Sequence, residues 1–213
     1  MRIADVPFYS NTPDGTHCVQ ASLRMVLKYF EPEKEFSWKE LEQITAKVES
    51  LSTWKSAMWI WLAEHNYDLH IIECFNARRF IVEGGDYLKD EFGDEAAAWQ
   101  IKMSDIPQEQ QLYRKLLENV PIENREPHID DIEMYLNKGY LVCVAVNSKK
   151  LARQPGYVGH SIVVIGYDEN TVTINNPGPT ARENQIVSKG NFEAAWASPN
   201  VKAKEMFAVR LKS

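Results

Sequence analysis

Three residues far apart in the chain, Cys18, His160 and Asn176, have the types and settings to make a nucleophile and its base. A thiol attacks well when its thiolate is favoured, and the positive end of a helix together with a nearby imidazolium favours it. Cys18 opens a segment in which Val19, Leu23, Val26, Leu27 and Phe30 recur at spacings of three and four, the stripe of a helix that faces a core. The cysteine thus falls in the first turn, where its backbone N–H has no partner inside the helix and is free for an oxyanion. Thr16 is the expected N-cap. On position alone, Cys18 would read as a small apolar residue at a helix end, as most free cysteines do.

His160 shifts that balance. It begins an apolar strand, His160 to Tyr167, after Gln154-Pro155-Gly156-Tyr157-Val158-Gly159, a loop whose glycines let a partner approach. Asp168-Glu169-Asn170 reads as a three-residue loop, which pairs Tyr167 with Thr171 and sets Ile162 opposite Asn176. Alternation then places His160 and Asn176 on one face, diagonal neighbours about 7–8 Å apart at the backbone, within reach of a side-chain hydrogen bond. A one-residue slip would select Asn175 instead. Asparagine fixes ring orientation and tautomer without adding charge, which suits a cysteine–histidine ion pair. By itself Asn175-Asn176-Pro177-Gly178 is simply a turn.

The elements that must position these groups follow from periodicity. Ser37-Trp38-Lys39-Glu40 is a capping box, with Trp38, Leu41, Ile44 and Val48 behind it, and a further helix is expected from about Thr53. Asp68 to Cys74 is a strand. The stretch from Phe75 to Glu126 is charged, interrupted by Gly84-Gly85, Gly93 and Pro107, and helical in period over Gln108 to Val120, so several helices are expected there. After Pro127 come a helix through Ile129, Ile132, Tyr135 and Leu136 ending at Gly139, an apolar strand from Tyr140 to Val146, and the Thr171 to Asn175 strand. A short helix near Ser188 carries Phe192 and Trp196, and a closing strand runs from Met206 to Leu211.

Composition narrows the function. The 213 residues suit one domain, 1–213, with a helical insert at about 75–127. Twenty-four Lys plus Arg against 30 Asp plus Glu give a net charge of −6, which argues against nucleic acid as a partner. No apolar run reaches bilayer length and the start lacks a signal peptide, so no membrane partner and a cytoplasmic location are expected. Three sparse cysteines, Cys18, Cys74 and Cys143, suit a reducing compartment. Cys74 and Cys143 sit in apolar strands. His17 follows a different direction from its neighbour Cys18 on the helix, and His65, His70 and His128 lack metal-ligand spacing, so neither a metal nor a cofactor is expected.

The residues also carry a resemblance. Val6-Pro7-Phe8-Tyr9-Ser10, the run from Cys18 to Leu27, the run from Gly159 to Tyr167, and Asn175-Asn176-Pro177-Gly178 resemble the peptidase C39-like family in order and spacing. The resemblance covers the first thirty residues and those from about Ile129 onward. It implies an α+β, papain-like cysteine peptidase fold, a helical part packed against an antiparallel β-sheet, with Cys18 as nucleophile, His160 as base and Asn176 orienting it. Val19 stands where the family has glycine after the cysteine, which narrows the groove. The family's oxyanion glutamine has its nearest counterpart in Asn11, shorter by one methylene, beside the Cys18 amide; loss of such a donor costs about 10²–10³ in rate. The expected activity is hydrolysis of a peptide or small amide through an acyl-enzyme. The rivals are acyl transfer through the same thioester and a catalytically inactive pseudo-peptidase that binds peptides.

Overall fold

A computed structural model of the chain describes residues 1–212. The stripe that begins at Cys18 forms α1 (Cys18–Phe30), with Val19, Leu23, Val26 and Leu27 buried. Its N-cap is His17 and not Thr16, because Thr16 donates its hydroxyl to Asp14 Oδ2 at 2.9 Å and is turned away from the helix. No side chain caps the first turn, so its amides stay unclaimed. Ser37 caps α2 (Trp38–Ile44), its hydroxyl accepting from the Glu40 N–H, which is one half of the expected capping box. The next helix, α3 (Ser56–Glu64), starts later than its apolar pattern suggests. Thr53 and Trp54 are held outside it: Thr53 accepts from Gln20 Nε2 at 2.9 Å and Trp54 Nε1 donates to Ser104 at 2.7 Å.

β1 (Tyr67–Glu73) is followed by three helices, α4 (Ala77–Glu83), α5 (Gly85–Lys102) and α6 (Ile106–Asn119), in the charged stretch where several helices were expected. Asn76 and Asp105 cap α4 and α6, and α5 breaks at Gly93. These helices enclose an aromatic cluster in which Trp54 stacks on Phe80 at 5.1 Å between centroids and Phe75 meets Tyr113 at 5.1 Å. The short β2 (Ile122–Asn124) then returns to pair parallel with β1. α7 (Ile129–Asn137), β3 (Leu141–Asn147) and α8 (Ser148–Leu151) lead to β4 (Gly159–Tyr167) and β5 (Thr171–Asn176). β6 (Arg182–Ser188), α9 (Lys189–Trp196) and β7 (Glu205–Leu211) complete the order.

The strands make one sheet in the order β2-β1-β7-β3-β4-β5-β6, antiparallel at every joint except β1 with β2. This is an α+β fold with helices packed against the sheet. β4 is buried along most of its length on both sides of its alternation, as befits an inner strand covered on both faces, and α1 and α7 both pack on it. β6 escaped the sequence reading because it is a polar edge strand with only Val187 buried, and nothing in its pattern alternates. No helix among the described residues is long and apolar enough to cross a membrane.

The β4–β5 turn differs from its expected form. Tyr167 pairs with Val172, and the Asp168 N–H donates to Thr171 O at 3.0 Å, so Glu169 and Asn170 alone form the tip. Asp168 drives this tightening: its carboxylate accepts from the N–H groups of Asn170 (2.8 Å) and Thr171 (2.7 Å). The register would now be one residue off at the site, but a β-bulge between Val164 and Gly166 restores it, and Val163 pairs with Asn175. Beside the bulge the amino-terminal residues replace β3: the Ile3 N–H donates to Ile165 O and the Tyr167 N–H to Met1 O, both at 2.8 Å. Only glycine fits at 166, where a Cβ would lie 2.8 Å from Met1 O.

Candidate active site

The first turn of α1 meets the start of β4, and this brings Cys18 against His160. The ring Nε2 of His160 hydrogen-bonds Asn176 Oδ1 at 2.8 Å, which leaves Nδ1 as the nitrogen for the thiol. Cys18 is 9% exposed. Burial acts to push its thiol up, yet the hydrogen bond and charge of His160, the Ser161 N–H and the Lys55 ammonium together outweigh burial and bring it below the usual thiol range. The other two cysteines go the opposite way. Burial pushes Cys143, inside β3, up to about 12 and also raises Cys74.

Asn176 is itself fixed. Its Nδ2 donates to Gln185 Oε1 at 2.9 Å, and its Oδ1 also accepts from the Gly178 N–H at 3.1 Å. Two partners of opposite kind settle which way the amide points, so the oxygen faces the imidazole. Gln185 lies on β6, the strand that sequence reading missed. The neighbour Asn175 is fully buried, and its Oδ1 accepts from the Asn184 N–H at 3.0 Å, away from His160.

Asn11 reaches the region by another route. Its N–H donates to Pro177 O at 2.8 Å, which ties the amino-terminal loop to the residue after Asn176. Its Oδ1 accepts from the N–H groups of Thr12 and His17, each at 2.8 Å, and shapes the turn into α1. Its Nδ2 is buried without a partner among the described residues. The Cys18 N–H likewise has no acceptor there, the first helical bond being from Ala21 N to His17 O.

The residues set aside on sequence lie elsewhere. His17 points its ring to Thr12 (2.7 Å) and Glu42 (2.9 Å), not to the thiol. His65 stacks on Trp61, His70 sits beside Tyr140 and His128 precedes α7. Among the described residues no group of three or more His, Cys, Asp or Glu side chains could hold a metal ion.

Behind Cys18 and Val19 opens a cavity of about 140 Å³, roofed by α5. Trp99 lies so close to Gly159 that a Cβ there would sit 3.0 Å from its ring, so the glycine before the histidine does admit a partner, and the partner is this tryptophan. Gln100 Nε2 donates to the Tyr157 hydroxyl at 3.3 Å across the same seam. Trp54, Lys55 and Glu73 line the interior. Sequence reading assigned no role to Lys55, Trp99 or Glu73, and Gly159 was the one local signal that something packs there.

The sequence profile of the peptidase C39-like family matches residues 3–201, a span that runs through the helical stretch as well as the two ends. No curated protein matches the sequence. Among solved structures, a C39-like peptidase from Bacillus anthracis is similar, with 17% identity, 100% of this chain and 98% of that one covered, and a TM-score of 0.49. The peptidase domain of Streptococcus ComA, a bifunctional ABC transporter involved in a quorum-sensing pathway, is similar with 13% identity, 98% of each chain covered and a TM-score of 0.51. At such identity the likeness to the second is one of fold.

Proposed function

The chain belongs to the peptidase C39-like family, and from that premise we propose that it is a cysteine-dependent hydrolase of a peptide or small amide bond, with Cys18, His160 and Asn176 as its triad. The observation that carries this reading is the His160 ring, held by Asn176 at 2.8 Å on one side and lowering the Cys18 thiol on the other.

In the proposed reaction the Cys18 thiolate attacks the substrate carbonyl and a C–S bond forms. The oxyanion is met by the unclaimed Cys18 N–H and by Asn11 Nδ2, whose lack of a partner among the described residues supports this role. The His160 imidazolium gives its proton to the leaving amine as the C–N bond breaks. Water, deprotonated by His160, then attacks the thioester, and the acid leaves as the thiolate and imidazolium re-form. Asn176 orients the ring throughout. We also assign the protein to the cytoplasm, a reading supported by three cysteines that are all free.

The test is the rate of Cys18 alkylation by iodoacetamide across pH, read by mass spectrometry against Cys74 and Cys143, in wild type and His160→Ala. Selective labelling of Cys18 below the ordinary thiol pKa of about 8.5, lost with His160, is the expected result. Labelling as slow as at Cys143 would defeat the proposal. Active enzyme offered an ester with and without added amine separates hydrolysis from acyl transfer by its products.

A further inference from the structure

The cavity behind Cys18 contains one buried carboxyl group that forms no ion pair among the described residues. β1 and β7 pair with Glu73 directly opposite Glu205, so two acidic side chains stand together on one face of the sheet, an arrangement that like charges disfavour. Lys55 forms an ion pair with Glu205. The other lysines that line the cavity are also taken, Lys202 by Glu91 and Lys204 by Glu126 and Glu193. Glu73 has no such partner among the described residues. It is 1% exposed, and its Oε1 lacks any hydrogen bond. Burial, with the Glu205 charge behind it, holds the Glu73 carboxyl well above the usual range, and the Lys55 charge only partly opposes them.

A buried carboxyl without a partner is costly to keep, and a cation placed beside it removes that cost. The walls around it suit a cation too. Trp54, Phe75, Trp99 and Tyr113 line the same space, and aromatic faces attract ammonium groups, most strongly where water is excluded.

We infer that the cavity receives a substrate acyl group with an apolar stem and a terminal cationic amine, the ammonium meeting Glu73 and the carbonyl lying at Cys18. This deepens the function proposed above and rests on it for the carbonyl end. The amine end rests on the Glu73 site itself.

Calorimetry on Cys18→Ala, which removes the nucleophile, tests the amine end alone. The probes are ω-amino amides of three to six carbons, each with its terminal-hydroxyl and terminal-methyl counterpart. The expected result is that the best-fitting ω-amino amide binds about tenfold or more tighter than both counterparts, and that adding Glu73→Gln brings the preference to about twofold or less. Equal binding of the three classes, no binding of any, or a preference that survives Glu73→Gln overturns the inference. Should the double variant not fold, the ligand comparison in Cys18→Ala decides by itself. The two proposals fail separately: an unreactive Cys18 leaves the amine preference standing, and an activated Cys18 without the preference removes only the inference.

Discussion

The two walls of the cleft are built on different physics. Where α1 meets β4 and β5, the polar groups form a chain of partners, from Cys18 to His160 to Asn176 to Gln185. Where α4, α5 and α6 close over the sheet, aromatic rings pack on one another, and of the two acidic groups beneath them Glu205 is paired with Lys55 while Glu73 has no ion-pair partner among the described residues. A satisfied polar chain holds one geometry, which is what a proton-transferring site needs. An aromatic shell around a buried, unpaired carboxyl has one polar group left to satisfy, which is what a site for a cationic ligand offers. On the proposed reading, reactivity and selectivity fall to different segments and should respond to mutation separately.

The sharpest way to break that division is His160→Ala. It should slow iodoacetamide labelling of Cys18 at pH 6.5 by about 10²-fold or more while far-ultraviolet dichroism stays native. An unchanged rate would mean that the polar wall is only structural. Asn176→Ala should come next, lowering turnover by about ten- to a hundredfold through a misplaced ring. Gln185→Ala, one step further along the chain, should have a smaller effect of the same kind.

On the aromatic wall the expected pattern reverses. Trp99→Ala should cost about 1–3 kcal/mol of stability in urea unfolding, since the ring is half-buried, yet leave the pH midpoint of Cys18 labelling in place. A shifted midpoint would show that the two walls are coupled.

The smallest effect concerns Glu109, which accepts from Ser56 Oγ at 2.6 Å and whose carboxyl burial raises to about 7. Between pH 4.5 and 7 the folded chain keeps a proton that the unfolded chain has released. The contribution of this group to stability is thus fullest below the unfolded pKa and is lost as pH rises through 7. Glu109→Gln should flatten that part of the stability profile and be about 1–2 kcal/mol more stable than wild type at pH 8, as urea melts at pH 5 and 8 would show.

The sequence was most informative where one periodicity met one face. The three-and-four spacing after Cys18 marks α1 from its first residue, and the apolar runs mark β3, β4 and β7 because inner strands are buried on both sides. The placement of His160 and Asn176 on one face needs alternation and an assumed three-residue turn, and it holds because the bulge between Val164 and Gly166 offsets the tighter turn that forms. β6 and the roof by α5 were not legible, for different reasons. β6 is recognised by its neighbour and not by its own polar pattern. The helices of the middle stretch could be read, but the docking of Trp99 on Gly159, 60 residues away in sequence, depends on tertiary packing that no local pattern encodes.

The bulge between Val164 and Gly166 has a consequence for how such a hairpin can change over generations. The tighter turn uses one residue fewer than the simplest pairing predicts, and the bulge takes up the residue that is left over, so the pairing at the site is the same with or without it. Deleting Ile165, the residue the bulge leaves unpaired, should straighten β4 with Gly166 still opposite Thr173 and Val163 still opposite Asn175, so this hairpin can lose one residue as a silent deletion that keeps Asn176 at His160.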